Sequence, residues 1–572
     1  MYRIISNRAP RLAANIRTLH PSVNETSTIR GRVSASVSTC PRPDVHRQFL
    51  GHARFASSRQ IGEILEHNSD PYRYTSGRWL RRDALEQESR LIYFDFDALC
   101  RRVLSLCPGA SSITSYDKKE GGFNRVFIFH TDDAKRVVAR LPFAFAGPSR
   151  LATNSGVATI KYLQAETKIP IPNILDWSDD ASNVIGSEYI IMEHASGIPL
   201  QEKWPTMNVS DQIKCIKAIC QKLKAVVDLT FPAYGSLYFA GTPYLPTSKL
   251  VVNSEFCIGP HCGAMYWNCN VGRPRYYHNI KPNQGPWLEI AEYCDSLIET
   301  GISKIPPAGL VSKRPRYQGS IETHKKLLNY GRAMLKEMIK SPRIQNTSSP
   351  VMFHPDLHKR NIFVSDEDPT VVSAIIDWQS TSIEPAFWYA DEIPDFAQPM
   401  SGPSSEDEIE PDSEACAKAY GFCTQALMPR LSTARSMDEA YIRPLRYCYR
   451  TWEDGVVAFR EELIQTSQRW EELGFLAPSP FPLPCLDEIT VHQKEYKLFE
   501  AKQQLRHILS SLLNTASDGW VPPEDWEGTE SAHQEVFEEM LQHILGNEQP
   551  DDDEPIRCEK DLREIWPFDL KG

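Results

Sequence analysis

The sequence predicts an α+β protein in which a small lobe of antiparallel strands precedes a larger, mainly helical lobe. Three observations predict it. Residues 113–141, ITSYDKKEGGFNRVFIFHTDDAKRVVARL, hold two β-rich runs, Arg125 to His130 and Arg136 to Leu141, around a Thr131-Asp132-Asp133 turn. After Gly197 the apolar residues recur at helical spacing, as in Ile213, Ile216, Cys220, Leu223 and Val227. Within that second part, Asp356, Asn361 and Asp377 sit at the ends of short apolar runs, where strands would hold polar groups in place.

The elements follow in order. Residues 1–60 carry ten Arg, no Lys and only Glu25 and Asp44, a net +8, so the remainder holds −19 of a total of −11. An Arg- and Ser-rich, acid-poor opening predicts a mitochondrial transit peptide over 1–55, with Arg54 two residues before a cut after Phe55 and the matrix as destination. Residues 56–112 form an N-terminal extension. The N-lobe follows over 113–194: a strand around Ile113 to Tyr116, a Gly121-Gly122 loop, the two runs above, and a helix carrying Val157, Ile160 and Leu163. That helix must stop before Ile169-Pro170, and strands over Pro172 to Trp177 and Ser187 to Glu193 complete the lobe. Residues 195–400 make a C-lobe whose stretch 231–320 reads as loop-rich. Residues 401–414, SGPSSEDEIEPDSE, read as a flexible acidic loop, 415–545 as the C-terminal helical part of the C-lobe, and 546–572 as a flexible acidic tail.

The acidic body offers no broad basic surface for a phosphate backbone, which argues against nucleic acid as a partner. No run of 18 or more apolar residues occurs, which argues against a transmembrane segment. The 14 Cys are mostly isolated in apolar text, the usage of a reducing compartment. Gly-x-Gly-x-x-Gly, the P-loop, His-Glu-x-x-His and Gly-x-Ser-x-Gly are all missing, so dinucleotide, P-loop, zincin and hydrolase-elbow chemistry lose their sequence support.

One constellation carries chemistry. Val351 to Asp377 contains His354-Pro355-Asp356-Leu357-His358-Lys359-Arg360-Asn361 and then Ile375-Ile376-Asp377-Trp378. Phosphoryl transfer needs an acceptor for the attacking hydroxyl's proton and oxygen ligands that fix magnesium on the nucleotide phosphates. Asp356 suits the first role, and Asn361 and Asp377 suit the second.

This pattern resembles the catalytic loop and metal-binding Asp of the aminoglycoside phosphotransferases and other kinase-like enzymes, with Pro355 in place of their usual Gly. The resemblance implies a protein-kinase-like fold of the aminoglycoside phosphotransferase type. It also implies ATP and Mg2+ as cofactors and a small-molecule acceptor. Gly121, Gly122, Phe123 and Asn124 would then approach the phosphates, or simply make a turn. Arg140 takes the place of the family's strand Lys and would contact phosphates as a planar fork. Glu193 and His194 would lie at the hinge beside the adenine. The helix Glu that normally holds the basic strand residue is replaced by Gly156, and Glu166 lies ten residues on, about 15 Å along a helix.

The motifs Tyr74-Thr75-Ser76-Gly77-Arg78-Trp79-Leu80, Glu120 to Arg125, Gly285-Pro286-Trp287 and His354-Pro355-Asp356 resemble, more narrowly, the fungal altered inheritance of mitochondria protein nine family. That resemblance runs from about Tyr72 to at least Phe396 and implies a mitochondrial protein. Cys257, Cys262 and Cys269 with His261 and His278 have irregular spacing for a zinc site, and Asp391 is a candidate anchor behind the catalytic loop. Two functions fit: a small-molecule kinase, or a pseudokinase that binds nucleotide or a partner without turnover. The acceptor and any protein partners are not legible.

Overall fold

The computed structural model describes residues 70–270, 272–311, 314–389, 391–399, 410–546 and 554–570. The expected transit peptide and residues 401–409 of the acidic loop lie outside them. Among the described residues no helix is long and apolar enough to cross a membrane.

The extension contributes a short strand, β1 (Arg78–Trp79), and two helices, α1 (Asp83–Ser89) and α2 (Phe96–Ser105). Strands β2 (Ile113–Glu120), β3 (Asn124–Thr131), β4 (Arg136–Pro142), β5 (Ile174–Ser178) and β6 (Tyr189–Glu193) form one antiparallel sheet in the order β2-β3-β4-β6-β5. Along β3 the buried positions alternate, placing Phe127 and Phe129 on one face against Phe96, Leu99 and Val103 of α2. The extension is therefore one wall of the N-lobe core. Helix α2 starts where Asp95 accepts the Ala98 N–H at 2.8 Å.

The other side of the sheet carries α3 (Leu151–Glu166). Its first turn is satisfied by Glu188, whose carboxylate accepts Ser149 Oγ at 2.6 Å, the Arg150 N–H at 2.8 Å and Thr153 Oγ1 at 2.6 Å. Val157, Ile160 and Leu163 of α3 share a core with Leu223 and Val226 of α4 (Val209–Val227), so the helix is packed onto the C-lobe. A hinge at residues 193–197 joins the lobes. Gly197 has φ +87°, and a Cβ there would run into the carbonyl oxygen of Val364, so only glycine lets the chain lie this close.

The stretch expected to be loop-rich contains more order than its Pro and Gly suggest. After a short strand β7 (Ile198–Pro199) at the hinge, strands β8 (Ser236–Phe239), β9 (Leu250–Val251) and β10 (Phe256–Gly259) lie within it and form a sheet, and α5 (Ile290–Ser303) buries Tyr293, Leu297 and Ile298. Tyr162 of α3 meets Phe256 edge-on at 5.3 Å, so this insertion braces the helix. After α6 (Ile321–Met338), strands β11 (Pro350–Met352), β12 (Ile362–Val364), β13 (Val372–Ile375) and β14 (Ile383–Pro385) form two small antiparallel ladders, β12 pairing with both β13 and β7. Helices α7 (Pro411–Leu427) and α8 (Val456–Gln468) close the C-lobe core. Because α7 begins at Pro411, the last residues of the expected acidic loop are helical, with proline at the first helical position.

The C-terminal region departs from the expected helical continuation of the C-lobe and flexible tail. Helices α9 (Leu486–Leu512), α10 (Trp526–Gly546) and α11 (Glu559–Ile565) build a separate core around Leu505, Leu509, Phe537, Leu562 and Trp566. Leu562, Ile565, Trp566 and Phe568, within the tail read as flexible, are all buried. Acidic composition concealed an amphipathic helix with apolar residues on one side. This core also takes Leu80 from the extension, and β15 (Trp520–Val521) pairs with β1, Arg78 against Val521 and Trp79 against Trp520.

Candidate functional site

The loop 354–361 is held by its first residue. Fully buried His354 accepts the Asp356 N–H at Nδ1 (3.1 Å), so Nε2 carries the proton and donates to the Ile376 carbonyl at 2.8 Å. Burial lowers its pKa, outweighing the carbonyl and the nearby acids, which keeps the ring neutral. The ring also meets Trp378 edge-on at 4.6 Å. Asn361 ends a short turn, and its amide donates to the Asp356 carbonyl (2.8 Å) and to Asp356 Oδ2 (3.0 Å). Ile376 N–H donates to the Asn361 carbonyl at 2.9 Å, so the pairing of β12 with β13 brings Asn361 beside the residue that precedes Asp377. The three residues singled out from the sequence therefore share one site.

Asp356 is enclosed by cations. Its Oδ2 accepts Arg360 Nη2 at 2.7 Å and its Oδ1 lies 3.0 Å from His358 Nε2. Burial opposes its ionisation, but the hydrogen bonds of His358 and Arg360 outweigh burial and hold the carboxyl well below its ordinary range. His358 is pushed up to about 9 by Asp356 and Asp395, against the effect of burial. Asp395 lies 3.6 Å from His358 Nδ1 and accepts the Lys359 N–H at 3.0 Å. The acid behind the loop is thus Asp395, whereas Asp391, the sequence candidate, pairs with Arg446.

Asp377 adopts φ +67°, the left-handed region that non-glycine residues rarely occupy and that recurs at functional sites. Arg140, on β4 across the cleft, donates Nη2 to Asp377 Oδ1 at 2.7 Å and also to Gln379 Oε1. Asn124 of the glycine loop donates its amide to the same Gln379 oxygen. Gln379, one residue past Trp378, thus ties the loop and the basic strand residue to the C-lobe, and nothing in its spacing marked it. Arg140 is only 12% exposed, and Asp377 is the carboxylate it pairs with. At Gly156 a Cβ would meet nothing nearer than Ile190 Cδ1 at 4.0 Å, so a methyl group would fit there.

Gly121 and Gly122 close the β2–β3 hairpin, with the Gly121 N–H donating to the Asn124 carbonyl at 3.0 Å. Neither needs a left-handed φ, and a Cβ on either would meet nothing within 4 Å. They leave room for close approach to the backbone. Phe123 beside them is 51% exposed. Arg125, next in the same motif, is structural: fully buried, it donates to Glu120 (2.7 Å) and to the carbonyls of Pro71 (3.0 Å) and Arg90 (3.1 Å). At the hinge, Asn173 donates its backbone and side-chain N–H groups to the Glu193 carboxylate at 3.2 and 2.9 Å. His194 donates Nδ1–H to the Ala195 carbonyl at 2.7 Å and stands edge-on to Phe363 at 6.3 Å. Ala195, Phe363 and Ala374, with Ile376 against them, form an apolar patch there.

The oxygens of Asn361 and Asp377 are hard donors of the kind magnesium takes, and Mg2+ characteristically uses one or two protein ligands with substrate phosphates completing its shell. The Asn361 amide nitrogen is engaged by Asp356, and Arg140 takes only Oδ1 of Asp377, which leaves its second oxygen uncommitted among the described residues. The donor set fits. In the cysteine-rich segment, by contrast, His261 is spent on Glu384 (2.6 Å) and Cys262 Sγ accepts Ser236 Oγ at 3.2 Å. Among the described residues no group of three His, Cys, Asp or Glu is placed to hold a metal.

An antiparallel-sheet lobe, a glycine-pinned hinge, and an Asp-x-x-x-x-Asn loop paired with an Asp-ending strand define the architecture. The two lobes are those the sequence predicts, a small antiparallel-sheet lobe before a larger, mainly helical one. No family model matches the chain. It is 26% identical over 502 residues to a subtelomeric hrmA-associated cluster protein of Aspergillus fumigatus, covering 77% of this chain and 95% of that protein. It is similar to proteins named altered inheritance of mitochondria protein 9, mitochondrial. The Kluyveromyces lactis protein is 23% identical over 76% of this chain and 75% of its own length, and the Yarrowia lipolytica protein 22% identical over 58% and 64%. Among solved structures, the ternary complex of APH(2″)-IIa with streptomycin and ATP aligns at 12% identity and TM-score 0.35, covering 65% of this chain and 97% of that one. The aminoglycoside phosphotransferase APH(3″)-Id of Streptomyces rimosus aligns at 13% identity and TM-score 0.30, covering 63% and 100%.

Proposed function

We propose that the protein is an ATP- and magnesium-dependent phosphotransferase that acts on a hydroxyl of a small molecule in mitochondria. The observation that carries this reading is the joining of Asp356, Asn361 and Asp377 into one site facing Arg140, an arrangement no structural role requires. Magnesium bound by Asn361 and Asp377 would neutralise charge on the nucleotide phosphates. Arg140 would turn its guanidinium from Asp377 to those phosphates, and the open backbone at Gly121 and Gly122, with Phe123 and Asn124, would cover them. Asp356, kept ionised by His358 and Arg360, would accept the hydrogen bond of the acceptor hydroxyl and orient it for attack. The apolar patch below Glu193 and His194 would receive the adenine. The names of the relatives and the composition of residues 1–55 support a mitochondrial location, with the matrix as its compartment.

A second reading is favoured by one specific observation: Arg140 is paired with the magnesium ligand itself, and the usual helix Glu is Gly156. A pseudokinase could keep that pair closed. Calorimetric titration of ATP into the purified chain, with and without magnesium and repeated on Asp377→Ala, tests for the nucleotide site that the first reading requires. The phosphotransferase requires binding that depends on both magnesium and Asp377. Failure of a folded sample to bind ATP under any condition overturns it in favour of the pseudokinase.

A further inference from the structure

A second group of cations gathers where the N-terminal extension, the turn Arg316–Gln318 and α9 meet. Arg81 follows Leu80, which is fixed by its N–H to the Gly519 carbonyl (2.9 Å) and by packing beside Leu505 and Leu509. Lys502 and Arg506 lie one turn apart on α9, on a common face. Lys502 Nζ donates to Tyr317 Oη at 3.2 Å, and Tyr317 is fully buried. Arg314 lies over the Trp452 ring at 3.8 Å, with Nε on Gln318 Oε1 and Nη2 on the Trp452 carbonyl, both at 2.6 Å.

These cations are enclosed and mostly unused. Arg506 is 9% exposed, and among the described residues its guanidinium makes one hydrogen bond, from Nε to the Ser517 carbonyl at 2.7 Å. Arg314 Nη1 is buried without a hydrogen-bond partner. The Arg81 side chain makes no hydrogen bond or ion pair among the described residues. Three carboxylates face the group: Asp454, paired with Arg450 (2.9 Å), and Asp518 and Asp569, which accept the neutral N–H groups of Trp79 Nε1 (3.1 Å) and the Arg82 backbone (2.6 Å). Burial first, and then Arg81, Arg506 and Arg314, lower the Lys502 ammonium to about 8, as burial and its cationic neighbours lower Arg81 to about 10. Four cations against three carboxylates, one of them already paired with Arg450, leave positive charge in excess, and enclosed excess charge is costly unless an anion joins it.

We propose that Arg81, Arg314, Lys502 and Arg506 form a binding site for a small phosphate-bearing anion. The free donors outnumber the lone pairs of one carboxylate, whereas the oxygens of a phosphoryl group match guanidinium forks and an ammonium. Enclosure of Arg506 excludes a nucleic-acid backbone and selects a small ligand. None of the four contacts Asp356, Asn361 or Asp377 among the described residues, so the site is separate from the cleft. Its ligand would fasten the N-terminal extension to α9.

The test is calorimetric titration of the full chain with inorganic phosphate and with pyrophosphate, free of magnesium and in chloride buffer, alongside Arg506→Met, Lys502→Met and Arg140→Met. Pyrophosphate binding is expected to survive in Arg140→Met and to weaken about tenfold or more in Arg506→Met, the loss of a charge-assisted contact. Lys502→Met is expected to melt higher than the parent in phosphate-free buffer, because repulsion is relieved, and to lose the stabilisation by pyrophosphate. No binding to the parent chain, or binding lost only in Arg140→Met, overturns the proposal. So does a lower melting temperature for Lys502→Met without phosphate, which would mark the cluster as structural only.

Discussion

Replacing Asp395 by Asn tests the electrostatics that hold Asp356 ionised. In the parent chain His358 lies between Asp356 at 3.0 Å and Asp395 at 3.6 Å and is raised from 6.5 to about 9. With the imidazole 26% exposed, that displacement corresponds to at most ~3 kcal/mol of preference for the charged form in the folded state. A folded value above the unfolded one means the contribution is fully present below pH 6.5 and is lost as pH rises through about 9. The depressed Asp356 acts at the other end, its contribution present above 3.8 and lost as pH falls through its lowered value. The two describe one ion pair and are counted once. Because Asp356 is the nearer acid, Asp395→Asn should lower the His358 midpoint yet leave it above 6.5. Carbon-13 NMR of labelled histidine, titrated from pH 5 to 10 and assigned with His358→Gln, reads this directly. A His358 resonance titrating near 6.5 in the parent, or one that Asp395→Asn does not move, would refute the reasoning.

Three further outcomes are expected. Gly156→Ala should stabilise the chain by about 0.5–1 kcal/mol, since the position is helical and the added Cβ meets nothing closer than 4.0 Å; a lower midpoint in urea would contradict it. Leu562→Ala should cost about 2–5 kcal/mol, because Leu562 is fully buried in the C-terminal core, whereas a tail that merely trails would show no change in thermal melting. Deleting residues 1–55 should leave the protein cytosolic on fractionation, and mitochondrial retention of the truncation would remove the targeting assignment.

The strands of the N-lobe were readable because β3 and β4 are dense in Val, Phe and Ile and are bounded by Gly and Asp turns. The residues of the Asp356 loop were readable because their chemistry demands particular types at particular spacings. What was hidden depends on partners distant in sequence. Gln379 matters only because folding carries Asn124 and Arg140 to it, and Asp395 rather than Asp391 faces His358 because of how the chain turns after β14. Acidic composition likewise masked α11, whose Leu562 and Ile565 point into a core contributed mostly by α9 and α10. Local pattern carries elements and reacting groups, while the contacts that tune those groups are non-local.

The pairing of β1 with β15 sets an order of events in the life of the chain. Trp520 Nε1 donates to Tyr74 Oη at 2.9 Å across 446 residues of sequence. A ribosome must add a further 446 residues after Tyr74 before this contact can form, so the strip containing Trp79 and Leu80 waits that long with its apolar side uncovered. Until α9 and β15 arrive, that strip is a natural foothold for chaperones, and a premature stop anywhere upstream of Trp520 would leave it bare permanently.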